Sequence, residues 1–217
     1  MALKPDRPNG MRQSRPRIGW AIALPVVLVL AACNSGEPRS ADPVVDGTVH
    51  VCSSCHGLDG RSINPTFPRL AGQQHDYIVA QLKAFRDHTR ADPHAHTYMW
   101  GMAAELTDKT IDGLADYYSS QTPVAGTLSD SALMAAGKTI FTEGIADRQV
   151  PACAGCHSEK GAGVGSIPRL AGQHQSYIAE QLVNFASMAR ANEIMHDNSK
   201  NLTPEEIHQV AAYVGSL

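Results

Sequence analysis

The chain has 217 residues, of which 43% are apolar and 18% charged, with no charge run or low-complexity tract, so a globular fold is expected. Residues 1–32 hold five basic and one acidic side chain, which leaves 13 basic against 20 acidic in the remainder, a formal −7. That balance excludes nucleic acid as a partner and favours docking surfaces that are basic or largely apolar.

The first 32 residues read as an address. Arg12, Arg15 and Arg17 form a basic region, Ile18 to Leu30 an apolar core, and Ala31 and Ala32 a small-residue site before Cys33. The apolar stretch is too short to span a bilayer comfortably, and Pro25 interrupts it. Met11 is an alternative start. The tetrad Leu30-Ala31-Ala32-Cys33 resembles a bacterial lipoprotein signal. The resemblance implies cleavage before Cys33, lipidation of that residue and a membrane anchor made of several acyl chains. Residues 33–43, polar with two prolines, then form a tether.

The rest of the chain is a duplication. Pro68-Arg69-Leu70-Ala71-Gly72-Gln73 recurs as Pro168-Arg169-Leu170-Ala171-Gly172-Gln173. Tyr77, Ile78, Gln81, Leu82, Phe85 and Arg90 recur 100 positions later. Leu106-Thr107 and Tyr117 match Leu202-Thr203 and Tyr213 at a spacing of 96, so the first copy has four extra residues between Arg90 and Leu106. The expected organisation is an all-α pair of domains, 44–121 and 131–217, joined by a linker at 122–130.

In chain order, Gly47 is the candidate counterpart of Gly137, in a first helix shorter than the one that carries Leu133, Ile140 and Phe141. Tyr77, Ile78, Gln81, Leu82 and Phe85 share one helical face, as do their partners in the second copy. Thr107 opens a helix with Ile111, Leu114, Ala115 and Tyr118 inward. Thr203-Pro204-Glu205-Glu206 predicts a capping box before Ile207, Val210, Ala211 and Val214. Domains of this size have a marginal peptide core.

Of five cysteines, four form two pairs, Cys52/Cys55 and Cys153/Cys156, each followed by a histidine, His56 and His157. Cys-x-x-Cys-His is the pattern of covalent haem attachment: the thiols take the vinyl groups and the histidine lies under the iron. A zinc site needs four ligands and gives that histidine no fixed place. Two haem c groups are therefore expected. For the far side of each iron, Met99 and Met195 both lie seven positions before the paired leucines. Met102 is the second choice in the first copy, and His94, His96 and His196 compete. Met134 and Met188 are assigned to helix packing. His75, His88, His174 and His208, without matching histidines, are assigned to the surface.

These motifs, with the close Tyr117-Tyr118-Ser119-Ser120-Gln121, resemble the dihaem cytochrome c4 family over nearly all of the mature chain. The resemblance implies two class I cytochrome c folds related by approximate twofold symmetry. It gives the Pro68 and Pro168 carbonyls the task of accepting from the haem-ligating histidines. Leu70 and Leu170 would pack on the rings, with Arg69 and Arg169 pairing the propionates. It also implies an electron relay in the periplasm, with a quinol-oxidising complex or dehydrogenase as donor and a haem-copper terminal oxidase as acceptor. A dihaem peroxidase, or a fixed subunit of a larger oxidase or dehydrogenase, are the competing functions.

Overall fold

A computed structural model of the chain describes residues 1, 2, 40 and 42–217. The chain divides into two units, Met1–Glu37 and Pro38–Leu217, and both copies of the repeat belong to the second. The expected signal segment, Cys33 and most of the tether lie outside the described residues. Among the described residues no helix is long and apolar enough to cross a membrane.

The first copy contains α1 (Pro43–His56), α2 (His75–Arg86), a π-helical turn (Ala95–Met99) that runs into α3 (Trp100–Ala103), and α4 (Asp108–Ser119). The second contains α5 (Ser131–Glu143), α6 (Ala154–His157), α7 (Gln175–Ala186), α8 (Glu193–Ser199) and α9 (Pro204–Ser216). Two isolated bridges are the only β pairing among the described residues. Capping residues set the boundaries. Thr203 accepts from the Glu206 N–H while the Glu206 carboxylate returns to Thr203, completing the box read from sequence. Thr107 caps α4 and Asp130 caps α5 through their side-chain oxygens alone, without a returning carboxylate. Asp42 and Pro43, assigned to the tether by sequence, belong instead to the start of α1: Asp42 accepts from Val44 and pairs with Lys109 at 2.7 Å.

Each copy packs its first, middle and last helices around an apolar core. In the first it is Val45, Val49, Ile78, Leu114, Ala115, Tyr117 and Tyr118; in the second, Ile140, Phe141, Ile178, Val210, Ala211 and Val214. Close helix crossings need a residue without a Cβ, and the copies solve this on opposite partners. A Cβ on Gly137 of α5 would lie 1.9 Å from the Gln209 carbonyl of α9. In the first copy Gly113 of α4 takes this part, against Val45 of α1, whereas Gly47 has nothing within 4 Å. Gly47 is thus no counterpart of Gly137 in packing. Nor is α1 the shorter helix: it has 14 residues against 13 in α5, because it continues into the Cys-x-x-Cys-His segment. Met188 also departs from expectation. It lies beyond the end of α7 at φ +62°, 41% exposed, and fills no core.

The two copies meet across an approximate twofold axis built from identical residues. Arg90 donates to Gln81 of its own copy and to Gln181 and Tyr177 of the other. Arg190 reciprocates, donating to Gln181 and to Gln81 and Tyr77. Each guanidinium also lies over a phenylalanine ring, Phe85 or Phe185, at 4.8 and 4.5 Å. The symmetry breaks at one point. Asp92, fully buried, accepts from Arg90 Nε at 2.8 Å, while Asn192 at the matching position turns away to cap α8. The linker crosses both copies, with Pro123 against Gly72 and the Val124 carbonyl against Gly172.

Two outcomes are expected. In thermal unfolding followed by circular dichroism, Gly137→Ala lowers the midpoint, whereas Gly47→Ala leaves it unchanged or raises stability by up to about 1 kcal/mol. Asp92→Ala, which leaves the buried Arg90 guanidinium without its anion, costs on the order of 3–5 kcal/mol in denaturant unfolding.

Candidate functional site

In the first copy α1 runs unbroken into the attachment segment, so Cys52, Cys55 and His56 occupy its last turns. In the second, α5 stops at Glu143 and the chain passes through a 3₁₀ turn (Ala146–Arg148) before reaching Cys153 and the single turn α6. Different approaches arrive at the same geometry. His56 and His157 are each 7% exposed. Their Nδ1 atoms lie 2.9 Å from the Pro68 carbonyl and 3.1 Å from the Pro168 carbonyl.

That contact settles the tautomer. A carbonyl only accepts, so Nδ1 carries the proton and Nε2 is left with its lone pair, the form that binds metal. Burial pushes both imidazoles below the ordinary histidine range, against the opposing pull of the proline carbonyls, which keeps the rings neutral. Burial also pushes the Cys52 and Cys153 thiols up to about 11.

The four attachment cysteines are not equally covered, which the matching motifs did not predict. Cys52, Cys55 and Cys153 are partly buried, whereas Cys156 is exposed. The reason is the residue before it. In the first copy the Ser54 hydroxyl lies 3.8 Å from the Cys55 sulfur and covers it. In the second, Gly155 stands at that position, with no side chain and open space where its Cβ would be. Cys156 is thus the exposed member of the four attachment cysteines. It keeps its place in the motif, one residue before His157.

Each core is flanked by a matching set of incompletely covered apolar groups. Cys52, Leu70, Leu82 and Leu106 pack on the first core, and Cys153, Leu170, Leu182 and Leu202 on the second, all only partly buried. A neutral imidazole with a free Nε2, two thiols in the same motif and half-covered leucines on the adjoining core suit a flat apolar macrocycle with a metal at its centre. The residues present fit haem.

The comparisons agree. The cytochrome c family model matches twice, over residues 49–122 and 134–217. The chain belongs to the dihaem cytochrome c4 family. It is 42% identical over 197 residues to cytochrome c-552 of Acidithiobacillus ferridurans, covering 88% of this chain and 84% of that one. It is 36% identical to cytochrome c4 of Azotobacter vinelandii, covering 88% and 97% respectively. The solved structure of Acidithiobacillus ferrooxidans cytochrome c4 superposes with a TM-score of 0.73 at 44% identity, over 76% of this chain and 98% of that one. Like its family, this dihaem cytochrome carries covalently bound haem c and moves electrons without acting as an enzyme.

The remaining candidates occupy distinct surroundings. Met99 is half-buried and packs on the cluster of Phe85, Ala95 and Ala103, which Leu82 and Leu106 also flank. Met102 is 57% exposed. Met195 is half-buried in the first turn of α8, its N–H held by Asn192. His94 Nδ1 lies 2.8 Å from the Glu180 carboxylate of the other copy, and His96 is exposed against the Trp100 ring. His196 directs Nδ1 at the Phe185 carbonyl. Arg69 and Arg169 use their guanidinium groups on the Gly172 and Ala171 carbonyls. His174, assigned to the surface by sequence, is only half-exposed, with a buried Nε2.

Sequence reasoning missed the part played by Gln73 and Gln173. The signal was present, as an uncharged polar residue repeated identically at the end of a loop motif, but its partner lies about a hundred residues away. For the attachment sites, removal of both thiols from one motif by Cys52→Ala with Cys55→Ala is expected to leave a protein with one covalent haem. Intact-mass measurement and the haem-to-protein ratio check this.

Proposed function

We propose that this cytochrome is a one-electron relay of a periplasmic respiratory chain, with His56 and Met99 on the first iron and His157 and Met195 on the second. The observation that carries the reading is the pair of Nδ1–H to proline carbonyl bonds, at 2.9 and 3.1 Å, which leaves two identical Nε2 donors for iron. Haem iron with histidine and thioether ligands exchanges one electron at a raised potential, because sulfur favours the ferrous state.

The chain's own residues account for the rest. Met99 and Met195 stand at equal distance in sequence from Leu106 and Leu202, whose N–H groups close the same turn on Ala103 and Ser199 at 3.0 Å. Met102 is too exposed to serve as a buried ligand, and the histidines of the insertion are engaged elsewhere. With Met99 and Met195 as ligands, neither iron would offer an open position to peroxide, which argues for transfer over catalysis. Pro68, Leu70, Pro168 and Leu170 hold and cover the groups, while Arg69 and Arg169 lie partly buried at the seam between the copies.

The donor is a quinol-oxidising complex or a dehydrogenase, and the acceptor a haem-copper terminal oxidase. A lipid on Cys33 keeps the carrier at the membrane, where tethering raises its effective concentration near both. The acidic mature chain favours partners with basic or apolar docking faces.

Ligation is tested by oxidised-state spectra. Met99→Ala and Met195→Ala are each expected to abolish the sulfur–iron charge-transfer absorption of one haem and to lower its potential. Met102→Ala is expected to leave both unchanged. A wild-type-like spectrum for Met99→Ala would reject the assignment.

A further inference from the structure

The bond that orients each haem-ligating histidine ends on a peptide group whose opposite edge belongs to the other copy. The Pro68 carbonyl and the Arg69 N–H are the two ends of one peptide unit. The carbonyl accepts from His56, and the N–H donates to Gln173 Oε1 of the second copy at 2.9 Å. The reverse arrangement holds as well. The peptide joining Pro168 to Arg169 accepts from His157 and donates to Gln73 Oε1 at 2.7 Å.

Each glutamine is held so that its oxygen must face that N–H. Gln173 Nε2 donates to the Arg69 carbonyl at 2.9 Å, and Gln73 Nε2 to the Arg169 carbonyl at 3.0 Å. A flipped amide would set donor against donor and acceptor against acceptor. Both side chains are buried, at 7% and 8% exposure, and each Oε1 also accepts the next N–H in its own copy, Gln74 or His174. An amide oxygen has two lone pairs, so the second bond does not displace the first.

A peptide is a polarisable unit. When its N–H is bound by an acceptor, electron density moves toward its oxygen, which becomes a stronger acceptor in turn. A stronger acceptor draws the imidazole proton further and makes the ring a more electron-rich ligand, which favours ferric iron and lowers the potential. We propose that Gln73 and Gln173 are crosswise positioning residues: Gln173 lowers the potential of the first haem, and Gln73 that of the second. Each copy thereby sets the electron affinity of its neighbour through three hydrogen-bonded groups. The inference rests on His56 and His157 being the iron ligands.

The test uses the intact dihaem protein. Gln173→Met and Gln73→Met keep side-chain length and remove the amide. Redox titration is followed by NMR, with haem methyl signals assigned to each copy, and the histidine Nδ1–H signals are read in the same samples. Gln173→Met is expected to raise the first haem's potential, shifting its oxidation equilibrium by roughly tenfold or less. The His56 Nδ1–H signal moves toward that of a weaker hydrogen bond, and the second haem keeps its value. Gln73→Met is expected to give the mirror result. A shift confined to the glutamine's own copy, equal shifts at both haems, or no shift overturns the proposal, since the glutamines would then only hold the copies together. If His56 and His157 were not the ligands, wild-type protein would already lack haem-shifted Nδ1–H signals, which separates that failure from this one.

Discussion

A proline carbonyl and the N–H that follows it are rigidly coupled, about 180° apart across one planar bond. In this cytochrome both ends of that unit are used, twice. One end fixes a buried imidazole and the other is closed by the opposite copy. The loop carrying it therefore has little freedom to move without disturbing either a histidine or the interface. The helices α2 and α7 start directly after this loop, and Arg90 and Arg190, four residues beyond their far ends, tie them together again.

Within that symmetric frame the copies differ where the chain approaches and leaves the site. The first reaches its cysteines along a continuous helix, the second after a break at Gly144. Cys55 is sheltered by Ser54, while Cys156, preceded by Gly155, is open to solvent. The first copy absorbs its four extra residues in a π-helical turn ending at Met99, a form that is rare and frequent at functional sites. The second has an ordinary capped helix, α8. Asp92 adds a buried negative charge beside Arg90, with no equivalent beside Arg190. Two haems in such unequal surroundings are not interchangeable.

Much of this was legible in the sequence because it is local. The Cys-x-x-Cys-His motifs, the capping box at Thr203 and the helical face of Tyr77 to Phe85 are each set within a few residues. The repeat itself gave the domain count. What stayed hidden depends on distance in space. Gly47 and Gly137 look alike in sequence, yet only one meets a neighbouring backbone, and no pattern tells which helix of a crossing pair provides the gap. The four-residue insertion predicted added length, not a π turn, since the choice depends on burying Ala95 and Ala103 together. Gln73 and Gln173 were quoted as part of a repeat, and their partners lie in the opposite copy.

The seam between the copies has the self-complementary pattern of an isologous dimer, in which residue i meets j and j meets i. Gln73 meets Arg169 as Gln173 meets Arg69, and Arg90 meets Tyr177 as Arg190 meets Tyr77. Such a surface works equally well between two separate single-haem chains. Fusion through residues 122–130 then contributed no contact of this kind; it abolished the dependence of assembly on concentration and freed each copy to diverge. The π turn and Asp92 record that divergence, in positions that strict symmetry would have forbidden to differ.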